Sequence, residues 1–95
     1  MANELTPLDQ FVAYRAATIC VTQLGITSMK NAIQFEQKKW IEAGLTPAQY
    51  HVFNDQSESG GWISRMVNEK IDSRGGCKAV QDRMNRQNAR PSYQL

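Results

Sequence analysis

Residues 6–25 read Thr-Pro-Leu-Asp-Gln-Phe-Val-Ala-Tyr-Arg-Ala-Ala-Thr-Ile-Cys-Val-Thr-Gln-Leu-Gly, and this stretch decides the fold. Thr6 is placed to accept a backbone N–H as N-cap, and Pro7 at the first helical position loses only a donor that has no intrahelical partner. Gly25 supplies the stop. Between Val12 and Val21 the only charge is Arg15. Leu8, Phe11, Val12, Ala16 and Ile19 form one stripe at helical spacing, and Tyr14, Ala17 and Val21 form a second. A helix that is apolar around much of its circumference needs neighbours on several sides. The spacing therefore predicts the central helix of an all-α bundle.

Reading outward, a second helix is predicted from Thr27 or Ser28 to Ala43, with Gly44 as its left-handed end and Met29, Ala32, Ile33, Trp40 and Ile41 as its buried side. Lys38 and Lys39 beside Glu42 read as a solvated face. In Leu45-Thr46-Pro47-Ala48-Gln49-Tyr50, Thr46 and Gln49 make a capping box, Pro47 takes the first position and Leu45 can staple onto Tyr50. A short third helix over residues 47–54 follows. Asn54 to Gly61 is polar and glycine-bearing, which predicts the longest loop. Ile63, Met66, Val67 and Ile71 then recur at i, i+3, i+4 spacing in a fourth helix ended by Gly75-Gly76. A fifth, Cys77 to about Ala89, has only Cys77, Val80 and Met84 on its apolar edge. Such a helix is peripheral or is completed by a partner. Pro91 ends it, and about 90–95 read as a mobile tail. The β-branched residues never alternate over a strand's length. The expected fold is one small all-α domain over 1–95, a bundle of four to five short helices.

The chain has 95 residues, a size that supports one hydrophobic core. Its net charge of +2 is unevenly spread: residues 1–64 carry four Lys/Arg and six Asp/Glu, whereas 65–95 carry seven and three. The C-terminal part thus invites an acidic partner. No apolar run approaches membrane-spanning length. The first residues show no basic region followed by an apolar stretch, and two cysteines without an export signal read as reduced thiols, so a cytoplasmic chain is expected.

Catalytic readings fare poorly. Cys77 follows two glycines at a helix start, where free N–H groups stabilise a thiolate, and His51 is the only histidine. No third residue to orient such a pair is legible. Cys20, His51 and Cys77 lack the short spacings of a metal site, so no metal is expected. Ser59-Gly60-Gly61 lacks the Lys-Ser/Thr ending of a phosphate-binding loop, and no cofactor is expected. Leu24-Gly25-Ile26 has the form of a helix-turn-helix turn, but Asn31 and Gln34 fall where apolar anchors belong and only Lys30 is basic.

A chain with no catalytic constellation is expected to act by binding a macromolecule, as a small stand-alone regulator or inhibitor of the kind phages and mobile elements encode. The expected partner-binding surface combines the aromatics Tyr50 and Trp62 with Arg65, Arg74, Lys78, Arg83, Arg86 and Arg90, facing an acidic protein surface. Two alternatives stand beside it. One is a nucleic-acid contact through the basic last helix, and the other is a structural subunit that packs helix one or helix five against a second copy.

Overall fold

The computed structural model describes residues 6–58 and 61–87, with side chains described through Arg83. The predicted tail falls outside the described residues. Five helices follow in order: α1 (Pro7–Gln23), α2 (Met29–Glu42), α3 (Pro47–Gln56), α4 (Trp62–Ser73) and α5 (Cys77–Gln87), with no strand among the described residues. The chain is an all-α bundle as its periodicity predicts, and α1 is the central element, packing against each of the other four.

The helix ends follow the local signals. Thr6, Ser28 and Thr46 each accept the backbone N–H of the residue three positions on, closing the first turns of α1, α2 and α3. At Gly25 and Gly44 the backbone turns left-handed, with φ of 74° and 84°. There the Ile26 and Leu45 amides reach back to the Val21 and Trp40 carbonyls, which satisfies the helix ends with Schellman bonds that a Cβ would strain.

The core joins Phe11, Val12, Ala16 and Cys20 of α1 to Trp40, Tyr50, Ile63, Val67 and Ile71. On one side of α1, the rings of Phe11, Trp40, Tyr50 and Phe53 meet edge-on or tilted at centroid distances of 5.7 to 6.0 Å. The Trp40 indole N–H donates to the Thr46 carbonyl at 2.7 Å, so the largest core residue also fixes the turn into α3.

Over this aromatic cluster lies a polar network that the apolar pattern does not announce. Glu36 is fully buried and the Arg15 side chain is 12% exposed. Arg15 grips Glu36 in a fork, Nε to Oε2 at 3.0 Å and Nη2 to Oε1 at 2.8 Å. The other carboxylate bonds come from the Thr18 hydroxyl at 2.8 Å and the Tyr50 hydroxyl at 2.5 Å. Arg15 also donates to Asn54 Oδ1 at 2.7 Å and Ser57 Oγ at 2.9 Å, while its guanidinium sits 4.9 Å from the centre of the Phe11 ring. One ion pair therefore ties α1, α2 and the C-terminal end of α3 together.

This network corrects two expectations. The buried side of α2 is Ala32, Glu36 and Trp40, at i, i+4 spacing, whereas Met29 and Ile41 are 46% and 52% exposed. Glu36 turns the helix so that its carboxylate, and not those two apolar side chains, faces α1. The loop expected from Asn54 also starts later, because α3 continues to Gln56 and Asn54 and Ser57 are held by Arg15.

The expectation of reduced cysteines is overturned as well. Cys20, wholly buried in α1, and Cys77, the first residue of α5, form a disulfide with a Cα separation of 4.9 Å. Residues 57 positions apart in sequence are brought together by the packing of α5 on α1, a proximity that no local pattern encodes.

Burial opposes the charge of Arg15, but the hydrogen bonds and charge of Glu36 outweigh it and raise the guanidinium pKa. Replacing Glu36 with Gln keeps the shape and leaves that cation without its counter-charge. The expected loss is about 3–5 kcal/mol, read from denaturant unfolding. A loss below about 1 kcal/mol would show that the pair is not a major support of the fold.

The Tyr50 hydroxyl is pushed up to about 12, first by burial and then by its hydrogen bond to Glu36 and that residue's charge. Because the unfolded chain releases this proton near pH ~10, the stabilisation is complete below that pH and is lost as pH rises toward the folded value. Tyr14, raised by burial and then by Glu42, adds to the same alkaline window. The melting midpoint should fall steeply above pH ~10, and less steeply in Tyr50→Phe. Equal slopes in the two proteins would remove Tyr50 from the alkaline transition.

Candidate functional site

The helical wheel of α1 sets two opposite faces at about 100° per residue. Phe11, Arg15 and Thr18 project toward α2 and α3. Ala13, Ala16, Ala17 and Cys20 lie on the other side, against α4 and α5. A groove of about 180 Å³ opens along this side, with half-buried Ala13 at its surface and the buried Ala16 and Ala17 behind it.

The walls of that groove are basic. Lys70 and Arg74 come from the end of α4, one turn apart, and Arg83 comes from α5, where Val80 completes the apolar floor. The α4 C-terminus favours cations because its carbonyls carry partial negative charge, which accounts for Lys70 and Arg74 locally. It does not consume them. No described carboxylate lies within ion-pairing distance of Lys70, Arg74 or Arg83. Glu69 and Asp9 line a neighbouring depression on the far side of Lys70, and Asp82 is exposed next to Arg83.

The residues expected to bind a partner do not form one surface. Arg74 and Arg83 converge on the groove. Trp62, 46% exposed, and Arg65 share the outer side of α4, while Lys78 is exposed on α5. The side chain of Arg86 and all of Arg90 fall outside the described residues. Tyr50 needs correction: it is only 5% exposed, its hydroxyl is held by Glu36, and it is a core residue, not an exposed anchor. Lys70 and the alanine floor are the additions the structure makes. Lys70 was within reach of the sequence, since it stands four residues before Arg74 on the same helix face. The alanines had no signal beyond their small size.

A second groove, about 400 Å³, runs between α2 and α3 and is lined by Trp40, Ile41, Pro47, Tyr50, Gln37 and His51. Its lining includes no Asp, Glu, Lys or Arg. His51 meets the edge of the Tyr50 ring there, and Cys77 is bonded to Cys20, so the thiolate required of a Cys77 nucleophile is not free. Among the described residues, no three His, Cys, Asp or Glu side chains gather where they could hold a metal ion. No described helix is long and apolar enough to cross a membrane.

Compared with protein-family models, curated proteins and solved structures, the chain matches none.

The groove has a direct structural test. Ala13 lines it but is only half-buried, so Ala13→Glu should place a carboxylate among the cations with a stability change within about 0.5 kcal/mol. A loss of several kcal/mol on denaturant unfolding would mean that the alanine floor is packed and not open.

Proposed function

We propose that this chain is a protein-binding regulator or inhibitor, and that it holds an acidic segment of its partner in the groove between α1, α4 and α5. The observation that supports this reading is the convergence of Lys70, Arg74 and Arg83 on one groove beside Ala13, with no ion-pair partner for any of the three among the described residues. Size narrows the ligand. A groove of about 180 Å³ has room for one or two side chains, well below the roughly 300–1,000 Å³ typical of a small-molecule site. The half-buried Ala13 leaves room beside it for a partner's side chain, while the three cations would fix its carboxylates and speed encounter. We place this activity in the cytoplasm.

A fluorescein-labelled Glu/Ala/Leu peptide that forms an acidic helix is a suitable probe. Its anisotropy should rise on adding the protein, with binding that weakens as salt screens the cations. In Arg74→Glu and Arg83→Glu affinity should fall by roughly tenfold or more, given that each reversal replaces an attraction with a repulsion. Undiminished binding in both variants would remove the groove from the reading. Preferential binding of duplex DNA over the peptide, with the same salt sensitivity, would instead favour the nucleic-acid alternative. A mass that rises with protein concentration would favour self-association.

A further inference from the structure

We propose that the Cys20–Cys77 disulfide is a thiol-controlled latch on α5, and that opening it takes apart the basic groove; the second half of this rests on the groove reading above. Three independent features meet at α5. First, none of its described side chains is buried: Cys77, Ala79, Val80 and Gln81 are half-buried, and the others face water. Among the described residues the buried core residues all belong to α1 through α4, and α5 adds only the partly buried Cys77 and Val80 packed against them. Second, α5 follows Gly75-Gly76, two consecutive residues with φ of 99° and 98°. The Gly75 and Gly76 amides close the end of α4 on the Asp72 and Ile71 carbonyls, and the next residue, Cys77, is the point at which α5 is fastened. Third, the restraint is the bond from Cys77 to Cys20 in the last turn of α1.

An 11-residue helix has marginal stability by itself, so α5 depends on what fastens it. By contrast, α1, α2 and α3 are joined by the Arg15–Glu36 network, and α4 buries Ile63, Val67 and Ile71. Opening the disulfide therefore releases the last helix and leaves the rest assembled. The groove goes with it, because Val80 and Arg83 form its third wall.

The chemistry requires only a thiol pool. Cys20 is fully enclosed while Cys77 is partly exposed, so a reagent thiolate reaches the Cys77 sulfur. It forms a mixed disulfide there and expels the Cys20 thiolate. A second reagent thiolate then attacks the reagent sulfur of that mixed disulfide and expels the Cys77 thiolate. The two protons lost by the reagent thiols end on Cys20 and Cys77. Two electrons pass to the cystine, and the reagent leaves as its own disulfide. In a reducing cytoplasm such a bond is transient and responds to oxidant, which suits a switch better than a permanent staple.

Hydrogen exchange read by mass spectrometry on the full chain, oxidised and after dithiothreitol, tests the latch. In the reduced protein the amides of residues 77–87 should exchange at least about tenfold faster, with α1 to α4 keeping their protection. Cys77→Ser, without reagent, should reproduce the reduced pattern. Unchanged α5 protection with both thiols shown free by mass overturns the proposal. Loss of protection in all five helices together overturns it too, since the bond is then a staple of the whole fold. Anisotropy of the labelled acidic peptide separates the two readings: affinity that falls on reduction supports the coupling. A peptide that never binds the oxidised protein, alongside a thiol-dependent α5, leaves the latch standing and refutes the groove.

Discussion

The Arg15–Glu36 ion pair is the constraint on which the rest of the structure depends. A carboxylate with no exposed surface is tolerable only if its lone pairs are matched, and here Arg15, Thr18 and Tyr50 together match them. Each of these partners comes at a fixed cost in freedom. Arg15 and Thr18 set the rotation of α1, Tyr50 the depth of α3, and Glu36 the rotation of α2. Asn54 and Ser57 accept two further guanidinium N–H groups, so α3 cannot unwind at its end without leaving a buried cation short of acceptors. The aromatic cluster beneath supplies the apolar area. The ion pair selects the geometry in which that area is buried.

Once the Arg15 face of α1 is committed to α2 and α3, its opposite face is committed as well. Ala13, Ala16, Ala17 and Cys20 must then meet α4 and α5. The two sides differ in how they are held. The first is a dense set of rings and charge-assisted hydrogen bonds, while the second is a row of apolar residues from α4 and a covalent link to α5. That difference places the ion-pair network on one side of α1 and the basic groove on the other. The cations of the proposed binding groove, Lys70, Arg74 and Arg83, are separate from the Arg15–Glu36 network that joins α1, α2 and α3.

The candidate site was only half legible. Arg74 and Arg83 stood out as part of a basic C-terminal region, yet linear charge counting also drew in Arg65 and Lys78, which the structure directs elsewhere. Charge asymmetry along a sequence says how much charge a region carries, and helix rotation says where it points. Tyr50 was misread for a related reason. A tyrosine beside a loop resembles an interface anchor, and only the position of Glu36 makes it a core residue.

The sequence by itself determined the elements: the hydroxyl caps at Thr6, Ser28 and Thr46, the glycine stops, the apolar stripe of α4 and the central place of α1 are local matters of hydrogen-bonding groups and spacing. Only the tertiary structure decided which face of α2 is inward, that Asn54 and Ser57 are part of the folded network, that Cys20 and Cys77 are joined, and that Lys70, Arg74 and Arg83 surround one groove. The physical reason is common to all four. Local pattern measures how well a residue suits water or oil, whereas a buried charge, a disulfide and a shared groove depend on a partner far away in sequence, and only packing brings that partner within reach.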